Sequence, residues 1–318
     1  MSLRRLPLAI AMLLLPSLLW LGIWSPAPVG LDAVSAVTPG HVSVVGAAAV
    51  SAEGAPETAT EADLVQGAMY MSGGLHKAID PASDWILVRP GHVPMEPRAV
   101  AQHVNVVAAV VAQLADIAPQ AQISLLLGGV EGTDVSAPKG LKLALGALAD
   151  DPEMAKTRLE VLDLATEEVE EVEVPDGGVG ADLYPMPISL LECDAVVNVA
   201  RLAGPLSGLA NLEGLAGMVG GDPAGRRIDL ALLAEVDYSL LDMLGHSGPQ
   251  GAMILAGQDP IAVDRVAIAL LGAGSEVVAP LAVAGERMLG MSILTNIKVG
   301  GLDVAGTWAP PPDTTAVD

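Results

Sequence analysis

Phenylalanine is absent from this chain, and aromatic side chains together make up only 2% of it. The apolar residues, 52% of the sequence, are therefore largely Ala, Val, Leu, Ile and Met. A core made from them must be built of many small side chains fitted closely together. Basic residues are scarce too: 15 against 38 acidic ones, for a net charge of −23. That balance disfavours nucleic acid and anionic membrane surfaces, both of which require a basic face. Its plainest meaning is solubility. Cysteine occurs once, as Cys193, so the chain can form neither an internal disulfide nor a cysteine-ligated cluster or structural zinc site. Glu192 and Asp194 flank it and disfavour a thiolate, so Cys193 reads as an inert packing residue.

Several motifs are missing as well. The glycine-rich segment from Gly204 to Gly225 has neither a Gly-Lys-Ser/Thr nor a Gly-x-Gly-x-x-Gly between a strand and a helix. A phosphate cradle of either kind is excluded there. Gly-x-Ser-x-Gly and His-Glu-x-x-His are also absent. The acidic run Glu167–Val174 lacks the spacing of a calcium loop and reads as a solvated strand whose charges guard its edge. We therefore expect no metal site and no cofactor.

One long uncharged run is present. Leu6 to Trp24 follows Arg4 and Arg5 and carries no charge. As a helix it would be roughly 28 Å long, close to the hydrocarbon thickness of a bilayer. Leu6, Leu13 and Leu19 give it apolar bulk, and Trp20 and Trp24 fall where an interfacial belt would lie. It reads as an uncleaved transmembrane anchor in contact with the lipid bilayer through residues 6–24; a cleaved signal peptide is the alternative. Either reading places the bulk of the chain outside the cytoplasm, in a periplasm or its equivalent. Residues 1–24 are thus the anchor or signal segment. Residues 25–62, rich in small residues and Pro, read as a linker, with Val42–Val50 as a possible short strand. Residues 63–305 form the folded domain, and 306–318, with three successive prolines, form a tail.

Within that domain, helical and strand patterns alternate. Trp85–Arg89, Ile123–Leu127, Leu159–Leu164, Asp194–Ala200, Tyr238–Asp242, Ala252–Ala256 and Ile297–Leu302 read as strands. A helix from Glu96-Pro97 to Ile117 has Val100, Val104, Val107, Val111 and Leu114 on one side. Shorter helices are expected at Lys139–Leu148, Ile228–Ala234 and Pro280–Leu289. The fold class this predicts is α/β, a mostly parallel open sheet with helices on both faces, preceded by the N-terminal transmembrane helix.

The stretch Gly251–Gly272 is the most informative. A short apolar strand ends at Gly257, and Asp259-Pro260 has the form of a helix start. Ile261, Ile268 and Leu271 recur at helical spacing before Gly272 stops the helix. Asp264 lies along that apolar stripe, and a carboxylate there needs a partner.

The order of these pieces resembles the domain of unknown function 362 family over roughly residues 68–301. The resemblance is carried by Trp85-Ile-Leu-Val-Arg-Pro, Cys193-Asp-Ala-Val-Val-Asn-Val-Ala-Arg-Leu, Tyr238-Ser-Leu-Leu-Asp and Ala256-Gly-Gln-Asp-Pro-Ile-Ala-Val-Asp. It implies an α/β domain and little about chemistry. The chain departs from the family pattern at Arg89-Pro90-Gly91, at Ala200–Pro205 and at Glu213-Gly214, and it lacks the cysteine-rich segments of some members. A site for an anionic or polar ligand would be weakened by those losses.

Ligands of open α/β sheets bind beyond the carboxyl ends of the strands. Arg89, Asp242, His246 and Asp259 fall at or just after such ends, and Asn198 and Arg201 flank another. The catalytic candidates are Asp242, His246 and Asp264; the ligand-binding candidates are Arg89, Asn198, Arg201 and Asp259. Each also has a structural reading: Asp259 as a helix cap, Asp242 and Asp264 as buried carboxylates holding turns, His246 as a loop residue, and Arg89 as a partner for one of the aspartates. The function expected from this balance is a membrane-anchored, non-catalytic accessory subunit that contacts the other subunits of a larger membrane protein complex, such as a respiratory or photosynthetic assembly. The alternative is an extracytoplasmic enzyme, or a ligand- or ion-binding module, with a degenerate site at the strand ends.

Overall fold

A computed structural model of the 318-residue chain describes residues 43–49, 60–91, 96–130, 139–151, 154, 157–217, 221–245 and 252–301. Residues 1–24, expected as an anchor or signal segment, His246, and residues 306–318, expected as a tail, lie outside them. In chain order the elements are β1 (Ser43–Ala49), α1 (Glu61–Met71), β2 (Trp85–Pro90), α2 (Pro97–Ile117), β3 (Gln122–Leu127), α3 (Lys139–Ala149), β4 (Arg158–Asp163), β5 (Val169–Glu173) and β6 (Leu183–Pro187). They continue with α4 (Ile188–Glu192), β7 (Ala195–Arg201), α5 (Ser207–Ala210), α6 (Pro223–Leu233), β8 (Tyr238–Asp242), β9 (Met253–Gly257), α7 (Pro260–Leu271), α8 (Ser275–Glu286) and β10 (Ile297–Gly300).

Eight strands form one sheet in the order β10-β1-β9-β8-β7-β2-β3-β4, and β5 and β6 form a separate antiparallel ribbon. Only β9 runs against its neighbours in the large sheet. The expected mostly parallel α/β sheet is therefore what forms. The strands are buried on both faces, which is why they read as continuous apolar runs instead of alternating ones.

Period-two alternation assigns each strand residue to a face. Ile86, Val88, Ile123, Leu125, Val197 and Val199 pack under α1, α2 and α3. Leu87, Leu126 and Val196 point the other way, toward α4 through α8. Helix α2 is long and apolar enough to cross a membrane by length and composition. Its Val106, Val107, Val110, Val111 and Leu114 are fully buried against the sheet, so it serves as a core helix of the first face.

Two expectations need correction. The span assigned to a linker, residues 25–62, contributes β1, which pairs antiparallel with β9 and parallel with β10. Its Val45 and Ala47 are buried; small residues suffice there because α7 covers them closely. The domain also takes in the start of α1, where Thr60 and Asp63 form a reciprocal capping box. Helix α6 begins earlier than Ile228. Asp222-Pro223 opens it with the same grammar as Asp259-Pro260, the Asp222 carboxylate accepting from Gly225 N.

Candidate functional site

The polar residues expected to form one constellation are divided among three places. Register and pleat account for the division. Arg201 pairs with Asp242 across β7 and β8, on the face that carries Val199 and Leu240. Arg89, Asn198 and Ser239 form a second row, since Arg89 pairs with Asn198 and Asn198 with Ser239. That row shares the opposite face with Leu87 and Val196. Asp259 leaves both groups because β9 is antiparallel: its carboxyl end lies beside Ser239 at the start of β8, at the other edge of the sheet.

On the first face Asp242 is fully buried, and its carboxylate accepts three hydrogen bonds. Its Oδ2 receives His103 Nδ1 and Arg201 Nη1, both at 2.9 Å, and its Oδ1 receives Leu244 N at 2.9 Å. Burial acts to raise the carboxyl pKa. The hydrogen bond from His103, the charge of Arg201 and the Leu244 N–H outweigh it, so the pKa lies below the ordinary value. His103 comes from α2 and is fully buried. Its Nε2 accepts Gly91 N at 3.0 Å, which requires that Nδ1 carry the ring hydrogen. Both ring nitrogens are therefore occupied, and the pair is a strut between α2, β2 and β8. A carboxylate–histidine pair could do acid–base work only with a ring nitrogen open to substrate. Gly91 fits there because it has no Cβ: one added would stand 2.4 Å from Arg201 N.

On the second face Asp264 finds its partner. Its carboxylate accepts Gly208 N at 2.9 Å and Leu209 N at 2.8 Å, fixing the short helix α5 to α7. A Cβ on Gly208 would lie 2.8 Å from Asp264 Oδ1, so the glycine is what admits the carboxylate. Burial pushes the Asp264 pKa up to about 6, against the lowering effect of the two N–H groups. Asn198 donates to Gly208 O at 2.9 Å and to Ser239 Oγ at 3.3 Å, and its Oδ1 accepts Asn211 Nδ2 at 2.7 Å. Arg89 does not pair with an aspartate, contrary to the structural reading offered for it. Its Nε and Nη1 donate to Asn211 O and Leu126 O, each at 3.2 Å.

Asp259 is the expected helix cap, accepting from Ala262 N at 3.0 Å, and it also ties down Met291 N at 2.7 Å. Cys193 is buried, with its Sγ directed at Leu190 O. Among the described residues no group of three or more His, Cys, Asp or Glu is placed to hold a metal ion.

Two residues of consequence were missed in the sequence. His103 sits at helical spacing from Val100 and Val107, so its place on the buried stripe was available from the pattern. Asp229, fully buried in α6, was not. It accepts Val179 N, Gly180 N, Ala181 N and Tyr184 Oη at 2.7–3.2 Å, with Arg287 Nη1 at 3.6 Å. Burial, then the hydrogen bond to Asp229, drives the Tyr184 pKa upward. This carboxylate holds the loop between β5 and β6 onto the domain. Asp229→Asn should lower the unfolding free energy by about 2 kcal/mol, since an amide nitrogen must then face a backbone N–H. Urea unfolding should show a lower midpoint with an unchanged slope.

No protein family model matches the chain, and no curated protein matches it. Among solved structures, the lactate racemase apoprotein from Thermoanaerobacterium thermosaccharolyticum is similar at 12% identity and a TM-score of 0.38. The likeness covers 63% of this chain and 50% of that one, so the chain matches about half of that structure's length.

Proposed function

We propose that the protein is a membrane-anchored, extracytoplasmic, non-catalytic accessory subunit of a larger membrane protein complex, such as a respiratory or photosynthetic assembly. The reading rests chiefly on one observation: the described acids and bases that could do chemistry are committed to the fold. Asp242 and His103 bind each other and the backbone, and Asp264 and Asp259 bind backbone N–H groups. The uncharged run Leu6–Trp24 supports the anchor, and the resemblance to the domain of unknown function 362 family supplies no activity that would argue otherwise.

The test is extraction of the full chain from its own membranes in a mild detergent, followed by sizing. The proposal predicts migration with a larger assembly, in fixed stoichiometry with the same subunits across preparations. It also predicts that removing residues 6–24 leaves a folded domain in the soluble fraction. Migration of the intact chain as a free monomer would sink the subunit reading.

A further inference from the structure

We propose that Arg89 is the binding group of a site for a small oxyanion, a carboxylate or phosphate group, beyond the carboxyl end of β2. Arg89 differs from three of the other buried or half-buried arginines, which lie on carboxylates; Arg265, also buried, donates its Nε to Ser292 O. Arg201 lies on Asp242, Arg227 on Glu213 and Arg287 on Asp229. Arg89 is 4% exposed and, among the described residues, has no carboxylate within ion-pair distance. Two neutral carbonyls hold it, and neither offsets a full charge. Burial lowers its pKa only to about 10, so the guanidinium is still a cation at neutral pH.

The guanidinium is also open at one corner. Its Nε and Nη1 have acceptors, Asn211 O and Leu126 O, while Nη2 has none among the described residues. Yet Ser189 Oγ is the one fully buried side-chain nitrogen or oxygen that lacks a partner among those residues. Arg89 Nη2 is therefore not among the sealed side-chain atoms that lack a partner. The two carbonyls fix the plane of the fork, so the ordering that an anion would otherwise require is already in place. Nη2 and the free side of Nη1 present the geometry that carboxylates and phosphates accept.

The position agrees with such a site. Strand β2 leads through α2 to β3 on one side, and its other neighbour, β7, leads through α5 and α6 to β8 on the opposite side. The carboxyl ends of β2 and β7 thus flank the point where the order of connections reverses, where open α/β sheets take their ligands. Arg89 stands at this point. The net charge of −23 repels anions at long range, so retention of one here would depend on the local cation.

The experiment is thermal unfolding of the full chain in detergent, titrated with inorganic phosphate or with acetate against chloride at matched ionic strength. Wild type should show a saturable rise in Tm of about 3 °C at roughly ten times Kd, with phosphate, acetate or both. A response to phosphate alone marks a phosphoryl ligand, and one that includes acetate marks a carboxylate. Arg89→Met should abolish the saturable rise. Arg89→Lys, which keeps the charge and loses the fork, should weaken binding at least tenfold. If Arg89→Met does not fold, phosphorus-31 line broadening with wild type and Arg89→Lys decides the matter. No saturable effect in wild type, or the same affinity in either variant, overturns the proposal.

Discussion

Asp242→Ala should destabilise the domain by about 3–5 kcal/mol, the cost of removing one partner from a buried charge pair. For a domain of this size that is a fall in Tm on the order of 10 °C. The variant leaves Arg201, whose side chain is 8% exposed, without its carboxylate. It also leaves His103 Nδ1 and Leu244 N without an acceptor. Most of the loss comes from these stranded groups, so a second change should return part of it. The double variant Asp242→Leu with Arg201→Met should recover roughly half of the lost stability, because two apolar side chains strand no charge. Guanidinium unfolding of Asp242→Leu, of Arg201→Met and of the double variant closes the cycle. Simple additivity would show that the pair is not coupled as described.

Asp242 has its pH signature at the acid end. Its folded pKa lies below the ordinary carboxyl value of 3.8, so the unfolded chain binds the proton first as pH falls. Its contribution is present above about pH 4 and is lost as pH falls through the folded pKa. Asp242→Asn should therefore differ least from wild type in strong acid, and the difference should grow to a plateau above about pH 4.

Asp264 should behave with the opposite sign. Its folded pKa of about 6 lies above the unfolded value of 3.8, so the folded protein holds the extra proton between them. Wild-type stability from this group is full below about pH 4 and declines as pH rises to about 6, by about 3 kcal/mol in all. Asp264→Asn does not titrate. It should be less stable than wild type at pH 4, because its amide nitrogen must face Gly208 N or Leu209 N, both donors. Between pH 4 and pH 7 the gap between wild type and variant should close by about 3 kcal/mol. Chemical denaturation across that range reads it directly; a gap that widens would mean that Asp264 is held as a charge in some way other than that described.

The fold was legible where apolar runs were long or caps were spelled out. Asp259-Pro260 and Gly272 bracketed α7 to the residue, and Gly272 takes the left-handed conformation at φ 63° that suits glycine. The short strand offered at Val42–Val50 forms as β1, Ser43–Ala49, but its place in the central sheet was obscured because it is built of small residues, whose composition is also that of a linker. What pattern could not supply was strand direction. A reversed β9 moves Asp259 to the far edge, and nothing in Met253–Gly257 marks that reversal.

The site was legible residue by residue but not as an arrangement. Asp242, Asn198, Asp264 and Arg89 were each singled out, and each is buried. That Arg89 and Asp242 face opposite ways follows from the pleat together with the register of β2, β7 and β8, and register is a property of pairs of strands. His103 required joining α2 to β8, a sequence separation of 139 residues. Asp229 looked like one more polar residue of an amphipathic helix, because its partners are backbone N–H groups of a distant loop.

The central claim is that His103 and Asp242 brace the fold and present no free base. Nitrogen-15 NMR of His103 at neutral pH tests it most directly. The account predicts a ring hydrogen on Nδ1 and a coupling across the hydrogen bond from the Gly91 amide to Nε2. A hydrogen on Nε2, or an Nε2 that shows no coupling to Gly91 and responds to added ligands, would contradict it.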